Sequence, residues 1–256
     1  MRKIFVILFC LLVVATLINC GIPNRTKSSY DSSRTTYRIA QASYDIFLIS
    51  VDRPDEAEKM YGEQRIKTVI EEGISRSYFE DGMVRVEWRP TSDDIGFIIY
   101  NKMYDSMKIV WDEARFFDEE GNIHRLIHSG IGYEERKDSH PPTIIAARGN
   151  LEDFIHPADY FRREESSGKK SYKQQDYWNR APFLPTQIKG TAQELRAKAE
   201  PIVGKTFQVI LPLQIGNVRS DYIYTFKINR VDVTEKEQRI EKNSKEGKGS
   251  GKNGRR

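Results

Sequence analysis

Phe207-Gln208-Val209-Ile210-Leu211-Pro212-Leu213-Gln214-Ile215 and Tyr222-Ile223-Tyr224-Thr225-Phe226-Lys227-Ile228 are the stretches that decide the fold. In the first, Phe207, Val209, Leu211, Leu213 and Ile215 fall on every second position. In the second, Tyr222, Tyr224, Phe226 and Ile228 do the same. Successive side chains of a strand point to opposite faces, so each run presents one apolar face. The polar link Gly216-Asn217-Val218-Arg219-Ser220-Asp221 between them predicts an antiparallel hairpin. Pro212 has no N–H for a ladder, which predicts a bulge or an edge position for the first strand.

The alternation continues outward. Met107–Trp111 and Ala114–Phe117 lead into Asp118-Glu119-Glu120-Gly121-Asn122. Then Ile123, Arg125 and Ile127 alternate with His124, Leu126 and His128, a second hairpin with Gly121 in its turn. Further strands are expected at 42–51, 83–89, 95–101 and 142–147. Helical signal is sparse. Thr191-Ala192-Gln193-Glu194 has the capping-box pattern, and 55–72 is partly periodic through Met60, Tyr61, Ile66, Val69 and Ile70. Many short strands broken by turns predict a mainly β body, an immunoglobulin-like antiparallel β-sandwich over 37–233 with a partly helical insertion near 157–204.

The chain has 256 residues, of which 38% are hydrophobic and 30% charged, enough apolar material for a core under a soluble surface. Its net charge of +4 belongs to the ends: residues 1–19 carry +2 and 235–256 carry +4, leaving −2 for the rest. The folded part therefore lacks the basic excess that nucleic-acid binding uses, and no nucleic-acid partner is expected. The only cysteines are Cys10 and Cys20. That excludes an internal disulfide framework, a cysteine zinc site and a catalytic thiol in the body.

Met1-Arg2-Lys3 is a basic start, and Ile4 to Ile18 is an uncharged apolar run of 15 residues. A membrane-spanning helix needs roughly 20, so the run reads as the apolar region of a secretory signal. It ends in Leu17-Ile18-Asn19-Cys20-Gly21. This ending resembles the lipobox of bacterial lipoproteins, with Leu17 at −3, Ile18 at −2 and Cys20 at +1; Asn19 at −1 departs from the usual Gly, Ala or Ser. The resemblance covers residues 1–20. It implies a signal peptide at 1–19, diacylglyceryl and acyl groups on Cys20, and attachment to the membrane through that residue. Gly21 at +2 is not the Asp of inner-membrane retention, so the resemblance implies the outer membrane of a double-membraned cell, on its periplasmic or surface face. Two or three acyl chains hold a protein where one holds it only weakly. Residues 20–36 are then a polar tether, and 234–256, rich in Lys, Gly and Ser, are expected to be a disordered basic tail. Asn101 to Gly130 loosely resembles the immunoglobulin-like domains of bacterial envelope lipoproteins in hydrophobic pattern.

Few residues offer chemistry. His124 and His128 could ligate a metal only if brought together, and an extended strand holds them about 13 Å apart. Asp112-Glu113 and Asp118-Glu119-Glu120 read as turn carboxylates rather than a catalytic pair. GxSxG, phosphate-binding and dinucleotide-binding motifs are lacking. No catalytic residue, metal or cofactor is therefore expected. The richest surface candidate is aromatic and basic: Tyr160, Phe161, Tyr177, Trp178 and Arg180, within a segment that also holds Arg162, Arg163 and Tyr172. Aromatics interleaved with Arg are the material of binding hot spots, and equally of packing between an insertion and its scaffold. The expected function is a non-enzymatic, lipid-anchored envelope protein that binds an envelope protein or a glycan. The alternatives are an envelope hydrolase acting on polysaccharide and a structural part of a secretion or surface-assembly complex. The oligomeric state stays open.

Overall fold

A computed structural model describes residues 35–71, 74–164 and 177–240. Cys20, the signal peptide and the tether up to 34 lie outside the described residues, as do Tyr172 and 241–256. The chain opens with strand β1 (Thr35–Asp52) and helix α1 (Asp55–Tyr61). A meander of β2 (Arg65–Glu71), β3 (Ile74–Glu80), β4 (Val84–Pro90) and β5 (Ile95–Asn101) follows. Then come the short β6 (Met107–Ile109) and β7 (Arg115–Phe117), and β8 (Ile123–His128). After β9 (Thr143–Ile145) and β10 (Asn150–Pro157), β11 (Phe161–Glu164) and β12 (Tyr177–Arg180) form a separate ribbon. The last elements are β13 (Gln187–Lys189), helix α2 (Ala192–Ala199), β14 (Thr206–Ile215) and β15 (Val218–Ile240).

The protein is mainly β and antiparallel. Among the described residues thirteen strands join one curled sheet in the order β13-β1-β15-β14-β7-β8-β10-β5-β4-β3-β2, with β6 pairing β14 off this path and β9 pairing β6. The curl turns at β8. Its first half, Ile123–Arg125, pairs with β7, and its second, Leu126–His128, pairs with β10. A strand that changes partners at a corner lets two layers face each other across one core. Trp88 of β4 lies 4.7 Å from the Tyr224 ring and 5.5 Å from the Phe226 ring of β15; Phe79 of β3 meets Tyr222 edge-on at 5.7 Å. Such edge-to-face pairs add to the area they bury. The alternating residues Phe207, Val209, Leu211 and Leu213 are all buried, as are Tyr222, Tyr224, Phe226 and Ile228. On the far side, β1 curls against β3. Its register on β15 slips between Leu48 and Ser50, and the Leu48 N–H donates instead to Ser77 Oγ at 3.0 Å.

Four expectations are corrected by the structure. Pro212 sits in a central strand, not at an edge or a bulge. β14 pairs with β7 at 208–210 and with β6 at 213–215, and Pro212 stands at the gap, where no N–H is wanted. The link of the main hairpin is Gly216-Asn217 alone, because Ile215 pairs directly with Val218; Gly216 takes a positive φ of 55°. The stretch 55–72 is helical only to Tyr61. The β-branched Thr68, Val69 and Ile70 form β2 instead. Finally, 234–240 is strand, continuing β15 in register with 35–41 of β1, so neither the tether nor the tail reaches as far as its composition implied. The pairing supplies the order, and Arg38 meets Glu235 across it at 3.5 Å. The capping box at α2 forms as expected, with Thr191 and Glu194 bonded reciprocally.

One polar cluster crosses the core. Asp81, in the β3–β4 turn, pairs with Arg53 at 2.7 Å and accepts the Tyr222 hydroxyl at 2.8 Å. The Arg53 and Asp81 side chains are 4% and 0% exposed. Asp81 Oδ1 also takes the N–H groups of Met83 and Val84. Removing one partner of a buried pair strands the other, which costs about 3–5 kcal/mol. Urea denaturation of Asp81→Ala should show a loss of that size, and Tyr222→Phe a smaller loss of about 1.5–3 kcal/mol. A loss under about 1 kcal/mol for Asp81→Ala would contradict the pairing.

Candidate binding site

The β11–β12 ribbon carries most of the aromatic candidates. Its register sets Phe161 opposite Arg180 and Arg163 opposite Trp178. With period two, these four share one face. Tyr133, from the loop after β8, stacks flat on Trp178 at 3.9 Å and 3°, and meets Phe161 edge-on at 5.4 Å. The Arg136 guanidinium lies 3.5 Å over the Tyr133 ring, and Arg180 lies 4.2 Å over Phe154 of β10. Trp178 keeps 38% of its surface exposed.

The predicted set does not stay together. Phe161, Trp178 and Arg180 belong to the ribbon face. Tyr160 turns inward, packing against the core and meeting His124 edge-on at 5.3 Å. Burial, and then the negative charge of Asp118 and its neighbours, pushes its hydroxyl pKa up. The side chain of Tyr177 lies outside the described residues. Tyr133 and Arg136 are additions that sequence reasoning missed. Their only signal was an aromatic residue in a polar loop following Ser129-Gly130 and Gly132.

Beside the ribbon lies a cleft of about 800 Å³. One wall is β1 at Gln41–Ser43, with Pro182 to Lys189 leading into and forming β13; the other is Arg162 and Arg180. Ser92 and Asp93, from the β4–β5 turn, also line it. The first wall is held together by Ala42 N–H to Thr186 O at 2.7 Å, and Phe183 N–H to Ser92 O at 3.0 Å ties it to the β4–β5 turn. The Tyr44 hydroxyl donates to Pro185 O at 2.6 Å. Among the described residues lining the cleft, Asp93 is the sole carboxylate against Arg162, Arg180 and Lys189. Arg180 and Lys189 have no carboxylate partner among the described residues.

No family model, no curated protein and no solved structure matches this chain. The site is therefore read from its own geometry.

His124 and His128 face different carboxylates, and His140 packs edge-on against His128 at 5.9 Å. His124 lies 3.3 Å from Asp118 and 3.1 Å from Asp159, while His128 lies 3.5 Å from Asp153 and stacks on Trp111 at 4.3 Å. Asp118 is the hub of the β7–β8 turn, accepting from Glu120 and Asn122. Asp112 accepts from Arg125, Ser139 and the His140 N–H, holding the loop that carries Tyr133.

Buried His156 joins the site's parts. Its Nδ1 is 2.8 Å from Asp93 O and its Nε2 is 2.9 Å from Tyr160 O. A neutral ring donates only one N–H, so it serves one carbonyl at a time. Burial pushes its pKa down, more than the two carbonyls raise it, and Arg180 adds to the lowering. Burial raises Asp153, but hydrogen bonds from His128, Ser129 and Phe154 outweigh it and hold the carboxyl below its ordinary value. The unfolded chain protonates its His156 near pH 6.5 while the folded chain does not, so stability falls as pH drops below about 6.5. Asp153 contributes stability above about pH 3.9 that is lost as pH falls further, through its lowered folded pKa. Melting temperatures should show both losses, and His156→Gln should flatten the upper one. An unchanged slope between pH 7 and 5 in that variant would contradict this assignment.

Proposed function

We propose that this chain is a lipid-anchored envelope protein that binds a glycan through the cleft and the exposed part of the Trp178 ring, which Tyr133 backs. The observation that carries the reading is the pairing of a polar cleft, lined by Gln41, Ser43, Ser92, Gln187 and Thr234, with the part-exposed Trp178 ring on the adjoining ribbon. Sugars need both: hydroxyl partners of either sense, and an apolar plane for the ring face. Anchorage rests on the lipobox-like Leu17 to Cys20, and with it the outer-membrane location and the acylation of Cys20. The body acts as an immunoglobulin-like presenting scaffold. That reading is supported by its antiparallel order and face-to-face packing, while the shared strand β8 is where it departs from two separate sheets. Binding is favoured over polysaccharide hydrolysis because the described cleft residues offer Asp93 without the second carboxylate that glycoside cleavage ordinarily uses.

Cys20→Ala should move the protein from the membrane to the soluble fraction. If the variant stayed in the membrane, the anchor would be elsewhere. On a polysaccharide microarray the soluble Cys20→Ala form should be retained, and adding Trp178→Ala should weaken retention about tenfold, the loss of a hot-spot contact. Retention on no polysaccharide would refute the glycan reading.

A further inference from the structure

The cleft's charge goes further than its shape. We propose that it selects acidic polysaccharides, with Arg180 and Lys189 taking the carboxylates of uronic-acid residues. This rests on the glycan-binding reading above and names the class of glycan.

Arg180 and Lys189 line the cleft, and Asp93 is the one carboxylate among its described lining residues. The net charge over the whole chain outside the termini is −2, so this concentration of positive charge is local rather than a reflection of composition. Several surface cations elsewhere are paired, Arg76 with Glu87, Arg89 with Glu152, Lys102 with Glu80 and Arg230 with Asp45, while Arg85 and Arg148 rest on the rings of Tyr100 and Tyr104. Arg180 and Lys189 also rest on rings, Phe154 and Tyr37, and they do so at the cleft. A ring under a guanidinium fixes its plane and leaves the N–H edge for a carboxylate, which it can grip with two parallel bonds. Lys189, on the β13 wall, supplies a point charge across the cleft from Arg180. A concave wall focuses the field of such groups. The uncharged lining of Gln41, Ser43, Gln187 and Thr234 suits hydroxyls between the charges. Trp178 lies two positions from Arg180 along β12, so a sugar ring on the aromatic face can continue toward the cation. A polymer of acidic sugars meets all of these groups together, whereas a neutral glycan leaves the cations without use.

The test is calorimetric titration of the otherwise full-length Cys20→Ala form with polygalacturonate, alginate and hyaluronate oligomers, each beside its methyl ester. At least one acid should bind about tenfold more tightly than its ester, and the difference should shrink with added salt. Arg180→Gln and Lys189→Gln should each remove most of that preference with the near-UV circular dichroism unchanged, while Arg180→Lys should keep part of it. Equal binding of acid and ester would overturn acidic selectivity and leave the glycan reading standing. Binding of none of the six would overturn the acidic-glycan proposal, and the glycan reading itself would then stand or fall on retention by the neutral polysaccharides of the array. Acid preference that survives Arg180→Gln and Lys189→Gln together would also overturn the proposal, because the charge would then act elsewhere.

Discussion

The fold depends on one buried carboxylate. Asp81 binds the Arg53 guanidinium beyond β1, the Tyr222 hydroxyl of β15 and the two N–H groups that follow it in its own turn. Arg53 in turn reaches the carbonyl of Gly62, just past α1. Next to the carboxylate, Gly82 donates to Tyr61 O at 2.8 Å, and a Cβ there would come within 2.5 Å of that oxygen. The turn therefore fits only glycine, and one residue joins four parts of the chain. Apolar burial drives the layers together but is non-directional. A paired charge with every hydrogen bond met is directional, so it selects the register in which the layers meet.

The binding site inherits its geometry from that closure. β1 spans both regions. Its second half ends near Arg53 and closes against β3 through Leu48 and Ser77, while its first half pairs with β13 and forms a wall of the cleft. His156 sits behind the site, bonded to the backbone of Asp93 from one turn and Tyr160 from another. Phe161, Trp178, Arg180 and Lys189 thus stand on paired strands, and Tyr133 on a loop held by Asp112, which fixes a site more firmly than free loops do.

Period two made the strands legible, because a half-buried strand sorts its side chains by environment. Phe207 to Leu213 and Tyr222 to Ile228 are the clearest cases. The cap of α2 was legible for a local reason, since Thr191 and Glu194 act within one turn. Other features were hidden because they depend on distant partners. Pro212 suits a central strand only because β6 and β7 leave a gap beside it. The charged residues 234–240 are ordered only because β1 pairs with them. Ile66, Val69 and Ile70 fit a helix or a strand until β3 supplies a neighbour. In the site, the composition pointed to Phe161, Trp178 and Arg180. It could not separate them from Tyr160, whose ring the adjoining backbone turns toward His124. Tyr133 arrives from far away in the sequence and carries no pattern of its own.

Hydrogen–deuterium exchange of the soluble Cys20→Ala form, with and without a saturating acidic oligosaccharide, tests the central claim most directly. The account predicts slowed exchange at Gln41–Ser43, along β13 and across the β11–β12 ribbon, with the core strands β4 and β15 unchanged. Protection confined to β2–β5, or none anywhere, would contradict it.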